Sequence, residues 1–415
     1  MRLVRGRDLR AEVERLAHRA MRPNPKAERT AQRIVSDVRR RGDEALRAHA
    51  ERWDGLAKGQ ALEVSSAEMR EALASVSRGL REALETAAGN IRQFCKWQLP
   101  RKFTRQIQPG VSVGQVIRPL DSVGCYVPGG RYPLPSSLLM TVIPAQVAGV
   151  ARIAVASPRT ARETLAAAAL LGVERFFRIG GAQAIAAFAY GTESVPRVCK
   201  IVGPGNSFVT EAKKQVAFDC AIDMVAGPTE VVIVSDHGRP EFIASDLVAQ
   251  AEHDAEAMAV FVTSCAKLAR AVLREVRRAA RGNGTAEESL RRNGVILVAK
   301  SRAEALEIAN EIAAEHITVS REDVPAITSA GSIFVGDYSP QAFGDYACGP
   351  NHVLPTGGSA RFRGGLSVMD FVKIIGVQEV SRPGLARAAG VVETLATAEG
   401  LVAHAQSIRA RCAHA

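Results

Sequence analysis

The 415-residue sequence predicts an α/β protein built on parallel sheets, and three observations carry that prediction. From about Val111 onward, short β-branched and apolar runs alternate with helical stretches, the pattern of strand–helix–strand units whose sheet is covered by helices on both faces. Glycine-rich turns close several of those runs. Hydrophobic residues make up 47% of the chain and aromatics only 5%, so Ala, Val, Leu and Ile must fill the core. A chain of this length buries a substantial core, which excludes disorder, a collagen-like repeat and a disulfide mini-scaffold, and leaves room for about two to three domains.

Along the chain, residues 7–20 read as a short amphipathic helix with Leu9, Val13, Leu16 and Ala20 on one side, ended by Pro23 and Pro25. Residues 26–51 and 66–97 are helical in pattern, with a turn at Trp53-Asp54-Gly55 between them. Strands are expected at 153–156, 175–179, 198–202, 230–235, 259–263 and 295–299, and helices at 160–171, 207–218, 240–254 and 302–314. The run is long enough for two sheets, with Gly227-Pro228 at the crossing between them. After Phe334 the chain turns loop-rich for roughly thirty residues, a length that in a compact domain is usually functional. Residues 380–411 are helical again.

No apolar run approaches the roughly 20 residues of a spanning helix. The arginine-rich first twenty residues contain no apolar segment of the kind a secretory signal needs. Seven scattered cysteines without a C-x-x-C pair suit reduced thiols in a cytoplasm. Lys and Arg (54) exceed Asp and Glu (43), a net charge of +11. Two readings compete: a nucleic-acid binder, or a basic enzyme with its charge spread out. The cations are dispersed, with local density only at Arg39-Arg40-Arg41 and Arg277-Arg278, so neither a nucleic-acid nor a membrane partner is expected.

The usual dinucleotide, P-loop, zinc-protease and hydrolase signatures are absent. Three glycine-rich turns remain: Val127-Pro128-Gly129-Gly130, Ile179-Gly180-Gly181-Ala182-Gln183 and Val202-Gly203-Pro204-Gly205-Asn206. At the carboxyl ends of parallel strands such turns bring backbone N–H groups and helix N-termini to a phosphate; they are equally ordinary strand-to-helix connections. Gln250 and His253 stand three apart on an expected helix, as half of a metal site or as a solvated pair. Glu315-His316 closes another helix, as an acid–base pair or as a cation on the helix dipole. Asp345 and His352 lie in the long loop. Glu399 and His404 lie five apart on the last helix, where a plain surface is the bland explanation. The residues alone point to an α/β enzyme for a phosphate-bearing ligand and leave a metal open.

Eight ordered blocks then add up to a family. They are GCYVPGGRYPLPSSLLMTVIPAQVAGV (124–150), RIGGAQAIAAFAYGTESVP (178–196), KIVGPGNSFVTEAKKQV (200–216), IDMVAGPTEVVIVSD (222–236), ASDLVAQAEHD (244–254), AAEHITV (313–319), GDYACGPNHVLPTGG (344–358) and ETLATAEGLVAH (393–404). With them the sequence resembles the histidinol dehydrogenases. The resemblance implies an NAD- and zinc-dependent four-electron oxidation of L-histidinol to L-histidine through the aldehyde, the last step of histidine biosynthesis, in a cytoplasmic homodimer with intertwined subunits and shared active sites. It implies one zinc per subunit on Gln250, His253, Asp345 and His404, and a catalytic pair Glu315 and His316. NAD contacts fall on Tyr126, Gln183 and Asn206. Substrate contacts fall on Thr229, His316, Glu399 and the metal ligands, with His352 beside them. Ala314 stands where the family often has Pro, and Thr229 where Ser is common. The implied architecture is two incomplete Rossmann-like doubly wound domains, 24–121 with 230–366 and 122–229, plus small helical segments at 1–23 and 367–415, the last reaching the partner subunit. The alternatives are a related dehydrogenase of an anionic sulfonate diol, which Glu399 would repel, and a non-catalytic nucleic-acid or metabolite binder.

Overall fold

Two parallel sheets carry the molecule; the computed structural model describes residues 1–19, 24–129 and 133–413. Across the first sheet the strands run Arg2–Arg5, Gly294–Val298, Met258–Thr263, Glu230–Val234, His316–Val319 and Ser332–Val335, every pairing parallel. Across the second they run Glu63–Val64, Arg175–Phe177, Arg152–Ala156, Ser122–Tyr126, Lys200–Val202 and Ala221–Ile222, with only the Glu63–Val64 edge antiparallel. Set aside the edge strands 2–5 and 63–64, number the rest by chain order within each sheet, and both read 3-2-1-4-5. That is a doubly wound order, with a reversal between its first and fourth strands. Gly227 and Pro228 lie on the crossing from one sheet to the other, between Ile222 and Glu230.

Both sheets are buried on both faces, so alternate residues of one strand feed separate cores. Val231 and Ile233 join one apolar cluster and Val232 and Val234 another. On the second sheet Val123 and Cys125 face one cluster and Tyr126 the other.

Three features differ from the expected partition. Helices Pro25–Arg41 and Arg78–Gln98 pack on the second sheet, not with 230–366: Ile34, Val35 and Val38 join one of its cores and Leu84, Ala88 and Ile91 the other. An amphipathic stripe says that a helix is buried, not against which sheet. The 1–23 piece opens with a strand, Arg2–Arg5, before the helix Leu9–Ala17; Ala20 and Pro23, named above, lie outside the described residues, as do Gly130 of the first glycine turn and residues 414–415. Third, a small antiparallel sheet joins Phe103–Gln108, Val111–Pro119 and Val372–Val380, so the terminal piece is not wholly helical. Phe103–Gln108 is exposed along its length and carries no buried face for alternation to reveal. The helices Arg382–Ala398 and Val402–Cys412 follow and pack on each other. Among the described residues no helix is long and apolar enough to cross a membrane.

Candidate active site

The helix Arg302–Ile312 ends two residues earlier than its pattern suggests, because Ala313 adopts the left-handed conformation (φ 51°). This turn delivers Glu315 and His316 to the amino edge of the first sheet, beside its reversal point, since His316 opens the fourth strand and pairs next to Val231 of the first. Glu315 is buried. Its Oε2 accepts the Glu230 N–H at 2.9 Å and the Thr229 hydroxyl at 2.5 Å. Thr229 Oγ1 in turn accepts the Gln250 amide N–H. Gln250, Thr229 and Glu315 therefore form one chain of hydrogen bonds, buried at both ends and half-buried at Thr229. Burial pushes the Glu315 carboxyl up to about 7, against the pull of His316 and its two donors.

His316 lies beside it, with Nδ1 3.0 Å from the Glu230 carbonyl and 3.6 Å from Glu315 Oε2. A carbonyl only accepts, so Nδ1 carries the proton and the lone pair of the neutral ring sits on Nε2. That Nε2 is buried and has no hydrogen-bond partner among the described residues; Asp345 Oδ1 is 3.6 Å away, ion-pair range rather than a hydrogen bond. Burial alone would lower the ring's pKa, but Glu315 and Asp345 outweigh it and hold it above the ordinary value. The ring packs against Phe334, centroids 5.7 Å apart.

Asp345 lies on a short helix, Gln341–Tyr346, inside what the sequence presents as open loop. Burial would raise its carboxyl; His316, His352 and His253 outweigh that and hold it below the usual range. His352 bridges the two units. Its Nδ1 donates to the Asp345 carbonyl at 2.7 Å, and its Nε2, 3.3 Å from Ser137 Oγ, accepts from a helix of the second unit. Burial lowers its pKa and keeps it neutral, in agreement with that tautomer. Gln250 and His253 do not share a helix face as expected: the helix Pro240–Ala251 stops before His253, which is exposed just beyond its end. The two remain close, with His253 N–H donating to the Gln250 carbonyl at 3.4 Å.

The expected cofactor residues gather at the carboxyl edge of the second sheet. Tyr126 ends its first strand, Gln183 stands in the first turn of Gly181–Tyr190 after the third, and Asn206 caps Ser207–Val216 after the fourth. Tyr126 OH accepts the Gly181 N–H at 3.2 Å, Gln183 Nε2 donates to Asp54 at 2.9 Å, and Asn206 Oδ1 accepts the Phe208 and Val209 N–H groups. The glycines of these turns are sterically required: a Cβ on Gly203 (φ 117°) would stand 2.0 Å from the Tyr126 carbonyl.

Glu399 and His404 are not brought to this site within one chain. They do not share a helix either: Arg382–Ala398 ends before Glu399, Gly400 turns the chain (φ 75°), and a new helix starts at Val402. Both side chains are exposed. Among the described residues no group of three or more His, Cys, Asp and Glu is placed to hold a metal. Of the expected ligands, the first unit offers the Gln250 amide oxygen, His253 and Asp345, a nitrogen- and oxygen-rich set that suits zinc, and it lacks the fourth. Gln250, His253 and Asp345 have donor chemistry that fits the metal but make an incomplete set within one chain.

Two residues were not singled out by the sequence. Glu230 is buried, takes the Arg19 guanidinium at 2.5 Å and the Gly357 N–H at 3.0 Å, and supplies both backbone groups that hold the dyad. Asp54 holds Gln183. Glu230 sits inside the quoted 222–236 block and Asp54 in the noted turn, but neither has a local pattern that announces its partners.

The geometry defines a class: an α/β protein with a buried Glu–His pair beside the reversal point of one doubly wound sheet and amide- and tyrosine-bearing turns on another. Known proteins narrow it. The histidinol dehydrogenase family model matches residues 17–412. A histidinol dehydrogenase of Methanothermobacter thermautotrophicus is 45% identical over 91% of this chain and 92% of its own length, and one of Aquifex aeolicus 42% identical over 98% and 99%. The crystal structure of histidinol dehydrogenase from Elizabethkingia anophelis superposes with a TM-score of 0.94 at 34% identity, covering 99% of this chain and 98% of that one. The chain belongs to the histidinol dehydrogenase family, oxidoreductases of histidine biosynthesis. An acetylating aldehyde dehydrogenase from Geobacillus thermoglucosidasius, 14% identical with a TM-score of 0.51, shares the fold alone.

Proposed function

We propose that this protein oxidises L-histidinol to L-histidine through the aldehyde, with two NAD⁺ consumed per turnover and one zinc per subunit. The observation that carries the proposal is the buried, unpartnered Nε2 of His316, fixed as the basic nitrogen by the Nδ1–carbonyl bond and flanked by Glu315. In the first half-reaction the alcohol O–H proton passes to His316 Nε2 as the carbinol C–H bond breaks. In the second, water adds to the aldehyde with its proton drawn toward Glu315, whose raised affinity for protons suits it to that exchange. As water adds, the proton held on His316 Nε2 passes to the aldehyde oxygen and completes the gem-diol, and the freed Nε2 then takes a gem-diol hydroxyl proton as the second C–H bond breaks. When bound, NAD⁺ supplies the hydride acceptor in both halves. When bound to Gln250, His253, Asp345 and a second copy's fourth ligand, zinc supplies a positive template that orients the substrate's imidazole and amine. The substrate is a cation and the protein is cationic overall, so Glu315 and Asp345 must supply the local attraction. A cysteine route has no support at Cys125, whose thiol burial pushes up to about 12.

The same proposal includes a homodimer in which the terminal helices carry Glu399 and His404 into the partner's site. Support comes from the exposed apolar residues clustered on this piece: Ile374, Ile375 and Val377 on the small sheet, and Val391, Leu395 and Val402 on the helices. A monomer rarely leaves so many together. The direct test is NADH formation from L-histidinol, with two NADH per histidine, loss on chelation and return with zinc. No NADH from histidinol with stoichiometric zinc present overturns the proposal.

A further inference from the structure

Asp54 ends a π-helical turn, Ala50–Asp54, and is 7% exposed. It comes from the N-terminal helical region, yet its carboxylate reaches the carboxyl edge of the second sheet. There a single oxygen, Oδ2, accepts the Gly180 N–H at 2.8 Å and the Gln183 Nε2–H at 2.9 Å. The next N–H, of Gly181, goes to Tyr126 OH. The first turn of Gly181–Tyr190 is thus held by Asp54 on one side and Tyr126 on the other, which accounts for donors that a helix N-terminus leaves without intrahelical partners. The fit is tight: a Cβ on Gly180 would stand 2.6 Å from Pro158 and 2.8 Å from Asp54 Oδ1, and one on Gly181 2.8 Å from Gln183 Oε1. The neighbouring loop is strained. Arg159, in the Ser157–Thr160 stretch after the second strand of this sheet, is one of only two non-glycine residues with positive φ (47°) among the described residues. Strain of this kind persists where the surroundings over-determine a conformation, often at ligand sites.

We propose that Asp54 is a positioning residue of the nucleotide site: by holding the Gln183 amide nitrogen and the Gly180 N–H together, it fixes which end of the Gln183 amide a bound dinucleotide meets. A free glutamine amide turns over readily; with Nε2 committed to a carboxylate, Oε1 is the end left for a ligand's donor, beside the Tyr126 hydroxyl proton. The inference rests on the NAD reading above and adds to it a residue that contacts no cofactor. Asp54→Ala releases the amide. The expected result is an NAD⁺ Kd, read by calorimetry without substrate, and an NAD⁺ KM both raised about tenfold, with kcat and the KM for histidinol within about twofold. Asp54→Asn presents one oxygen to the same two donors and should bring the KM back to within about threefold of the original. The double variant Asp54→Ala, Gln183→Ala should be no worse than Gln183→Ala alone, because one residue acts through the other. Additive losses, an unchanged NAD⁺ KM in Asp54→Ala, or an equal fall in kcat would overturn the role. Should Asp54→Ala fail to fold, Gln183→Glu replaces the amide donor with a second carboxylate, and an unchanged NAD⁺ KM there is equally fatal. If Gln183→Ala itself leaves the NAD⁺ KM unchanged, the cofactor site is elsewhere and both readings fall together.

Discussion

At the amino edge of the first sheet and at the carboxyl edge of the second, the chain builds the same small unit: a buried carboxylate that takes one backbone N–H and one side-chain donor. Glu315 takes Glu230 N–H and the Thr229 hydroxyl, and Asp54 takes Gly180 N–H and the Gln183 amide. Burial raises the proton affinity of both. Each lies at a strand end of a 3-2-1-4-5 sheet, Glu315 before the fourth strand and the partners of Asp54 after the third, so the two units use opposite edges. The carboxyl edge collects helix N-termini and their free N–H groups, which suits an anionic dinucleotide. At the amino edge the Glu230 N–H is already taken by Glu315. The proposed proton transfer by Glu315 and His316 would need seclusion and a fixed tautomer instead, and there the Glu230 backbone supplies an acceptor for His316 and a donor for Glu315. The strand-end rule for ligand sites therefore points to the carboxyl edge that carries Asp54 and Gln183 and not to the amino edge that carries Glu315 and His316.

The contrast is broken most severely at the dyad. His316→Asn should lower kcat by about 10²–10⁴-fold while zinc per subunit, measured by atomic absorption, stays at the original value; loss of metal would make His316 a ligand rather than the base. Next comes the proposed sharing of the site between two subunits. His316→Asn and His404→Ala subunits, each inactive alone, should on unfolding and refolding together recover about a quarter of full activity, since half the dimers are mixed and each mixed dimer holds one intact site. No recovery, with mixed dimers confirmed by mass, would place His404 in its own chain's site. Thr229→Val leaves Glu315 and the Gln250 amide each one partner short, for a loss of about 1–3 kcal/mol in denaturant unfolding; an unchanged midpoint would show that the chain of bonds contributes nothing to stability. The smallest effect lies at the other edge. The folded carboxyl of Asp54 titrates above its unfolded value. The folded state therefore binds that proton more tightly, and stability falls as pH rises from the unfolded carboxylate range, about 4, through the raised value. Asp54→Asn removes this slope, so its melting temperature should gain on the original protein between pH 4 and neutrality. A constant difference across that range would mean that Asp54 titrates normally.

Much of the first sheet was legible because the strands Glu230–Val234 and Met258–Thr263 hold unbroken apolar runs, at 231–234 and 258–262, buried on both faces. The small antiparallel sheet was not, because Phe103–Gln108 has no buried side. At the site, Glu315 and His316 could be read as a pair from adjacency, whereas the helix carrying Gln250 ends at Ala251, a stop that no glycine or proline nearby marks in the sequence. Asp54 lay in a turn visible in the sequence, yet its partner Gln183 is more than a hundred residues away, beyond any periodicity.

By itself, then, the order of residues determined the alternation of strands and helices, the glycine turns and the adjacency of Glu315 to His316, since propensity and burial period act over a few residues. Only the tertiary structure decided which sheet the helices of residues 25–98 cover, which edge of each sheet is used, and that Asp345, His352 and Ser137 meet across two units. Those choices depend on contacts between distant segments, whose closing cost and packing gain are settled by the whole fold at once.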